Sequence, residues 1–187
     1  ILPLPGIHNI YNALASIAIA KILKLKNSSI IRGLKKFKPS SKRMEITVRS
    51  DGIRIINDTY NANPSSIKAA LEVLANQGPV VNLTPPRKIA VLGDMLELGH
   101  IAISAHKEIG KYVAKSGIEI LITVGKLSKY ISKEALKHGL RDVLHYSSKI
   151  NVIKNLRKFL RPNDVVLFKG SRGMKMEEIV DSIRKQG

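Results

Sequence analysis

The chain has 187 residues, enough for one ordinary domain or for one domain and part of another. It has no Cys, which excludes disulfide bonds and zinc sites built on cysteine, and no apolar run approaches the roughly 18–20 residues of a membrane-spanning helix. The formal net charge of +18 indicates either affinity for polyanions or a solvated, lysine-rich surface. With 4% aromatic residues and no Trp, the chain offers little for bases to stack on, which argues against nucleic-acid binding.

The first residues, Ile1–Gly6, have neither a basic leader nor a small-residue cleavage site, so they do not resemble a signal peptide. Together with the lack of Cys, this predicts a protein of the reducing cytoplasm. The chain also starts without Met, and we expect it to be part of a longer protein.

Two helices are predicted first. Apolar residues at positions 10, 13, 14, 17, 18 and 22 have helical spacing and predict a helix over residues 8–24. The polar residues 27–29 can cap a second helix that runs to about Phe37. The turn-rich stretch 38–42 is interpreted as a linker, which places a domain boundary between residues 1–42 and 43–187.

A hairpin and a capped helix follow the linker. Residues 46–48 and 53–56 favour strands, and they flank Ser50-Asp51-Gly52, which is a turn signal. Asn63 is then well placed to cap a helix that opens with Pro64 and ends near Ala75.

From Lys88 onward, short apolar runs alternate with amphipathic segments, after a long loop over residues 78–87. This alternation predicts a mostly parallel sheet covered on both faces, which is a Rossmann-like, doubly wound α/β domain preceded by a helical tail. The predicted strands are residues 89–92, 120–124, 143–146 and 165–168, and the predicted helices are residues 101–115, 128–138, 149–160 and 174–185.

Ligands of such sheets bind beyond the carboxyl ends of the strands, and three polar segments are expected there. They are Asn57–Pro64, Gly93–Gly99 and Lys169–Lys175. In the first segment, Asp58 can accept from a ribose hydroxyl or hold Mg²⁺ through water, while Tyr60 and the neighbouring amides can hold a nucleotide edge. Helix capping would explain Asn63 but not the other polar groups, so this segment favours ligand binding.

The residue types of the second segment leave its role open, whereas those of the third favour one kind of ligand. Asp94 and Glu97 of the second segment can bind an ammonium group or face solvent, and both interpretations stay open. The third segment combines glycines, Ser, Arg and lysines at a helix start, which favours binding of a carboxylate or phosphate. No Gly-x-x-x-x-Gly-Lys-Ser/Thr phosphate-binding loop occurs in the chain.

Arg43 and the histidines lie outside these three segments. Arg43 lies at the linker, where it can swing to a phosphate when domains close or face water, and the residue by itself favours water. His106 either faces a ligand or packs in the core. None of the five histidines has zinc-like spacing, so no metal ligands are predicted.

Five ordered motifs resemble the Mur ligase family, and the resemblance covers essentially the whole chain. The motifs are Gly6–Ala15, Arg43–Glu45, Asp58–Pro64, Val91–Gly99 followed by His106, and Lys169–Glu177. The resemblance implies that residues 1–42 end a central ATP-binding domain and that residues 43–187 form the C-terminal Rossmann-like domain.

The resemblance also implies a chemistry. It indicates an amide ligase of peptidoglycan synthesis that uses ATP and Mg²⁺, forms an acyl phosphate, and joins D-Ala-D-Ala to UDP-N-acetylmuramoyl-tripeptide. It further implies a cytoplasmic monomer. Because the chain has no phosphate-binding loop, we expect it to be inactive alone.

Site residues follow from the same resemblance. Those implied at the nucleotide are Asn9 and Asn12 near the adenine, Arg43 as the catalytic group at the terminal phosphates, and Asp58, Tyr60 and Asn63 on the ribose side. Those implied at D-Ala-D-Ala and the acceptor peptide are Asp94, Met95, Glu97, Leu98, Ser171 and Arg172.

Three alternatives stay open at this point. Another ligase of the same superfamily, such as a different Mur step or a folylpolyglutamate synthase, would take a different amine. A non-catalytic ligand-binding fragment would bind without turnover. A basic nucleic-acid-binding module would bind random DNA with a steep salt dependence, but no nucleic-acid motif occurs in the sequence.

Overall fold

The protein was analysed as a computed structural model, which describes residues 6–37, 41–79 and 85–184. Contacts divide the chain into two compact units, Ile1–Ser40 and Ser41–Gly187. Residues 38–40 of the predicted linker lie outside the described residues. The assignment of residues 1–42 and 43–187 to two domains of a longer enzyme stays a prediction.

The first unit contains two helices, α1 (Ile7–Ile22) and α2 (Asn27–Lys36), close to the predicted ranges. The predicted cap of α2 is wrong, because Asn27 is already the first helical residue and Lys26 precedes it without a side-chain hydrogen bond. A capping side chain must come before the first helical residue to reach the free N–H groups of the first turn.

The second unit is built on a six-stranded sheet. The strands are β1 (Glu45–Val48), β2 (Arg54–Asp58), β3 (Lys88–Gly93), β4 (Ile120–Val124), β5 (Asp142–Tyr146) and β6 (Val165–Lys169). Their order across the sheet is β1-β2-β6-β3-β4-β5. β1 is antiparallel to β2, and all other neighbours are parallel, which confirms the predicted mostly parallel α/β class.

Helices cover both faces of this sheet. One layer contains α3 (Pro64–Ala75), α4 (Ala102–Lys115) and α5 (Lys129–Lys137), and the other contains α6 (Lys149–Phe159) and α7 (Glu177–Arg184). The central strand β6 shows why two cores form. Val165 and Leu167 pack with the first layer and Val166 and Phe168 with the second, because successive side chains of a strand point to opposite faces.

The predicted hairpin and capped helix are confirmed. β1 and β2 pair with Ile46 opposite Ile56, and Gly52 in the turn has a φ of 84°, which glycine adopts without a Cβ penalty. Asn63 caps α3 through a capping box with Ser66, and Pro64 is the first helical residue.

The clearest differences from the predicted bounds lie at the starts of α4 and α7. Residues 99–101 form a short 3₁₀ turn before α4, and α7 starts at Glu177 instead of residue 174. The later start of α7 has a backbone reason, since residues 172–174 form another 3₁₀ turn and Lys175 has a φ of 48°. Residues 80–84 of the predicted loop lie outside the described part of the chain.

Candidate functional site

The strand order brings the three predicted polar segments to one edge of the sheet. β6 lies between β2 and β3, and all three run in the same direction. Lys169, the last residue of β6, is in register with Asp58 on one side and with Leu92 on the other. The segments that follow β2, β3 and β6 therefore meet at neighbouring carboxyl ends, where ligands of such sheets bind.

A buried ion pair lies at the base of this site. Lys169 Nζ is 2.5 Å from Asp58 Oδ2 and also donates to the carbonyl oxygen of Asn61 at 2.9 Å. The Lys169 side chain is only 3% exposed. Burial lowers the pKa of Lys169 below its usual range, the Asp58 carboxylate opposes that shift, and the charge of Arg43 adds to it.

Above this pair, two predicted arginines meet one aromatic ring. The Arg43 guanidinium carbon lies 3.8 Å from the centre of the Tyr60 ring, and that of Arg172 lies 5.2 Å from the same centre. Both arginines are exposed. Two cations held beside one ring repel each other, and an anion placed between them would relieve that repulsion and accept hydrogen bonds from both.

Arg43 lies in the second unit and is not part of a free linker. The Tyr60 N–H donates to the carbonyl oxygen of Lys42 at 3.0 Å, and the Met44 N–H donates to Asp58 Oδ1 at 3.1 Å. The backbone is thus held on both sides of Arg43. Arg43 is exposed, as the residue by itself suggested, but it is not a free linker side chain, because its guanidinium lies over the Tyr60 ring.

Asn63 is occupied by the helix that follows it. Its Oδ1 accepts from the Ser66 N–H at 2.8 Å and from Ser65 Oγ at 2.9 Å. Capping therefore accounts for the side-chain oxygen of Asn63, as the simpler interpretation of the sequence allowed. A contact between Asn63 and a ribose stays a prediction.

The Asp94 carboxylate is enclosed by backbone donors. It accepts from the N–H groups of Lys126 and Leu127, each at 3.0 Å, and of Ser128 at 2.6 Å. The residue is 5% exposed. Both oxygens thus hold the turn between β4 and α5, so the geometry favours a scaffolding role, and contact of Asp94 with substrate stays a prediction.

Met95 and His106 form a second internal support. The Met95 N–H donates to Nε2 of His106 at 3.0 Å, while Nδ1 of His106 lies 2.6 Å from the carbonyl oxygen of Ala102. An accepting Nε2 requires the tautomer whose proton is on Nδ1. Both side chains are fully buried, which decides the open question for His106 in favour of packing.

The other predicted substrate residues of this segment lie nearer the surface. Glu97 is exposed and has a φ of 65°, and Leu98 is partly buried against the core. Their contacts with D-Ala-D-Ala stay predictions.

Ser171 ties the three segments together. Its Oγ accepts from the Leu96 N–H at 2.8 Å and donates to the Ala62 carbonyl oxygen at 3.3 Å, and its own N–H donates to the Asp94 carbonyl oxygen at 3.0 Å. It is buried. The next residue, Arg172, is thereby held at the surface beside Tyr60.

Asn9 and Asn12 lie in the first unit, on α1. They are three residues apart and so share one side of the helix, and Asn12 is exposed. Their predicted place near an adenine stays a prediction.

Lys169 is the residue of this site that the sequence analysis missed. It lay inside the predicted anion-binding segment, but it was not singled out. The available signal was a lysine that directly continues a fully buried strand, because a buried lysine needs a partner and the neighbouring strand ends in Asp58.

The described residues contain neither a metal-ligating cluster nor a membrane-spanning helix. Over residues 6–37, 41–79 and 85–184, no group of three or more His, Asp or Glu side chains could hold a metal ion. Over the same ranges, no helix has both the length and the apolar composition needed to cross a membrane.

A doubly wound sheet that gathers cationic and aromatic side chains at its carboxyl edge defines a Rossmann-like ligand-binding domain. Residues 42–172 match the family described as Mur ligase, glutamate ligase domain. The chain therefore belongs to the Mur ligase family, which confirms the resemblance carried by the five motifs.

The relatives are D-alanyl-D-alanine-adding ligases. The chain is 38% identical to the UDP-N-acetylmuramoyl-tripeptide–D-alanyl-D-alanine ligase of Bacillus subtilis, over 97% of this chain and 39% of that protein. It is 33% identical to the enzyme of the same name from Escherichia coli, over 100% of this chain and 39% of that protein. A crystal structure of MurF from Acinetobacter baumannii superposes with a TM-score of 0.83 at 27% identity and covers 99% of this chain and 39% of that chain. The chain thus spans about two fifths of the length of these relatives.

Proposed function

We propose that this chain is the C-terminal part of a cytoplasmic, ATP-dependent ligase that joins D-Ala-D-Ala to UDP-N-acetylmuramoyl-tripeptide in peptidoglycan precursor synthesis. The similarity to the ligases of Bacillus subtilis and Escherichia coli over nearly the whole chain supports this reaction. In this proposal, the second unit closes over the nucleotide and presents the incoming amine.

The observation that carries the proposal is the cluster of Arg43, Tyr60 and Arg172. Two exposed guanidinium groups at one aromatic ring form a site for a phosphate or carboxylate at the edge where such sheets bind ligands. Asp58 lies beside them with both oxygens engaged, but each carboxylate oxygen has a second lone pair for a ribose hydroxyl.

The proposed reaction has two steps. The terminal phosphoryl group of ATP passes to the free carboxylate of the tripeptide, which gives an acyl phosphate and ADP. The amine of D-Ala-D-Ala then attacks the acyl carbon, and the tetrahedral intermediate loses the amine proton and expels inorganic phosphate to leave the new amide. Negative charge on the phosphoryl oxygens is stabilised by cations and N–H donors, and this is the role proposed for Arg43.

The other predicted residues take supporting places in this proposal. Asn9 and Asn12 contact the adenine, Asp58 and Tyr60 hold the ribose side, and the segment with Glu97 and Leu98 faces the dipeptide. Exclusion of water on closure protects the acyl phosphate from hydrolysis. Mg²⁺ accompanies ATP, and its ligands are placed mostly in the upstream part of the longer protein.

The test measures phosphate release by this chain joined to the upstream sequence of its own gene. The assay contains ATP, Mg²⁺ and UDP-N-acetylmuramoyl-tripeptide, and it offers D-Ala-D-Ala or single amino acids as the amine. Release that depends on D-Ala-D-Ala is the expected result. Release with a different amine would move the enzyme to another step of the superfamily, and no release with any amine would favour a non-catalytic protein.

A further inference from the structure

The backbone on both sides of Arg43 is held in an unusual conformation. Lys42 and Met44 have φ angles of 65° and 49°, in the left-handed region that residues with a Cβ seldom adopt. Such a conformation persists only where surrounding contacts impose it. Arg43 is therefore presented by a short, preset segment and not by a flexible arm.

Three hydrogen bonds and one buried side chain hold this conformation. The carbonyl oxygen of Lys42 accepts from the Tyr60 N–H, and its ammonium pairs with Glu177 at 2.7 Å. The Met44 N–H donates to Asp58 Oδ1, and the Met44 side chain is buried in the core. The Asp58 carboxylate thus fixes the segment on one side of Arg43.

Lys169 in turn fixes that carboxylate. Its ammonium binds the other oxygen of Asp58 and the carbonyl oxygen of Asn61, so it holds both the carboxylate and the turn that carries Tyr60. A lysine is a poor choice for packing alone at a place that is almost fully buried, because an apolar side chain of similar volume often stabilises a core as well as a buried ion pair does. What an apolar side chain cannot do is orient Asp58.

We propose that Lys169 is a positioning residue: through its ion pair with Asp58 it holds the Lys42–Met44 segment and thereby sets the position of the Arg43 guanidinium on Tyr60. The effect on turnover rests on the proposed function of Arg43 in the ligase. The effect on the position of Arg43 does not, and it can be measured in this chain without substrate.

The first test observes Arg43 directly by nuclear magnetic resonance of the 187-residue chain. Stacking on Tyr60 shifts the Arg43 Nε–H signal upfield, and Arg43→Ala assigns that signal. Lys169→Met is expected to move the signal to the position of an unstacked arginine. Lys68→Met is the matched control, because it removes an exposed ion pair with Glu108 that also measures 2.5 Å but lies on the helices α3 and α4. It is expected to leave the signal unmoved.

Folding is checked in each variant by circular dichroism and by the dispersion of methyl signals. Lys169→Arg is the second variant, since it keeps the charge but moves it and lengthens the side chain, and it is expected to shift the Arg43 signal partway. An Arg43 signal at its native position in whichever of the two Lys169 variants folds would overturn the proposal.

The second test is a double-mutant cycle in the chain joined to its upstream sequence. Lys169→Met is expected to lower kcat by about 10- to 100-fold, the range that a small misplacement of a catalytic group produces. In the Arg43→Ala background the same change is expected to lower kcat by no more than about threefold, because Lys169 acts through Arg43.

The two failures are distinguishable. If Arg43→Ala leaves kcat unchanged, the proposed function of Arg43 is wrong, whereas the magnetic resonance test of Lys169 still stands. If Arg43→Ala lowers kcat and the effect of Lys169→Met multiplies with it, Lys169 does not act through Arg43 and the present inference is wrong.

Discussion

The segments at the ends of β2 and β3 each carry an acidic residue, but these two residues have different partners. Each follows a buried strand, and each brings a carboxylate to the same edge of the sheet. At the end of β2, Asp58 pairs with a side chain, Lys169, and the nearby Tyr60 meets two exposed arginines. After β3, the Asp94 carboxylate accepts from backbone N–H groups of a neighbouring loop.

This contrast separates a surface that can bind a ligand from the scaffold that supports it. Around Tyr60 the positive charges of Arg43 and Arg172 are exposed, so an incoming anion can reach them. The negative charge of Asp94 is instead neutralised inside the fold by the backbone N–H groups that precede α5, and it holds the start of that helix. Both carboxylates are engaged by the chain, so what separates them is their surroundings: Asp58 lies next to exposed arginines, whereas Asp94 is held by backbone donors and is 5% exposed.

The largest expected effect is a loss of stability on replacement of Asp94, which tests whether this residue supports the fold. Asp94→Ala leaves three backbone N–H groups without their acceptor at a position where Asp94 is 5% exposed. We expect the free energy of unfolding to fall by about 3–5 kcal/mol, because unsatisfied buried donors and lost charge-assisted hydrogen bonds are both costly. The free energy is measured by urea denaturation of the chain.

Glu97 provides the matched control for this prediction. It is an acidic residue of the same turn, but it is exposed. Glu97→Ala is expected to change the free energy of unfolding by no more than about 0.5 kcal/mol. A loss below about 1 kcal/mol for Asp94→Ala would contradict the scaffold interpretation.

The next effect tests the ligand side. In the chain joined to its upstream sequence, Arg43→Ala is expected to lower kcat by about 100-fold, the scale found when one group that stabilises transition-state charge is removed. KM for ATP is expected to change far less, because the contact forms on closure. Steady-state phosphate release measures both constants.

Lys68→Met serves as the control, since Lys68 is paired with Glu108 on the outer helices and belongs to no part of the proposed site. It is expected to leave both constants unchanged. An unchanged kcat with a raised KM for ATP in Arg43→Ala would instead place Arg43 in ground-state binding.

A smaller effect concerns Asp58. Asp58→Asn keeps the shape of the side chain and an acceptor for the Met44 N–H, but it removes the charge and turns an amide N–H group toward the Lys169 ammonium, so kcat is expected to fall as well. KM for ATP is expected to rise about 10-fold, the scale of one hydrogen bond to a charged group, while KM for D-Ala-D-Ala stays constant. If only the dipeptide constant moved, the nucleotide assignment of Asp58 would be wrong.

Much of the fold could be predicted from the sequence because it follows from periodicity. β6 reads Val-Val-Leu-Phe, an apolar run between polar residues, and the structure adds only Lys169 to it. The start of α3 was equally well determined, since Asn63 and Pro64 are a capping residue and a first-turn residue. Local signals of this kind need no knowledge of the tertiary structure.

The rest of the site depends on contacts between distant segments. The Asp94 carboxylate accepts from the backbone N–H groups of residues 126–128. Such donors cannot be recognised from the amino-acid sequence, because nearly every residue has a backbone N–H. The position of Arg43 depends on the left-handed φ angles of Lys42 and Met44. Neither lysine nor methionine favours that conformation, so the sequence does not predict it. The sequence could thus predict which segments meet at the sheet edge, but not which of their polar groups face a ligand.

The smallest expected effect concerns Asn63 and distinguishes its role as a helix cap from a contact with the nucleotide. Asn63 caps α3, and the family resemblance also implies it at the ribose. Asn63→Ala is expected to lower the free energy of unfolding by about 1 kcal/mol through loss of the cap.

Asn63→Ser separates the cap from the ligand contact, because serine caps helices about as well as asparagine but has no amide to reach a nucleotide. We expect the stability of Asn63→Ser to match that of the unchanged chain. If its KM for ATP also stays unchanged in the chain joined to its upstream sequence, Asn63 belongs with Asp94 on the scaffold side. A several-fold rise in KM for ATP without loss of stability would place it with Arg43 and Tyr60 on the ligand side.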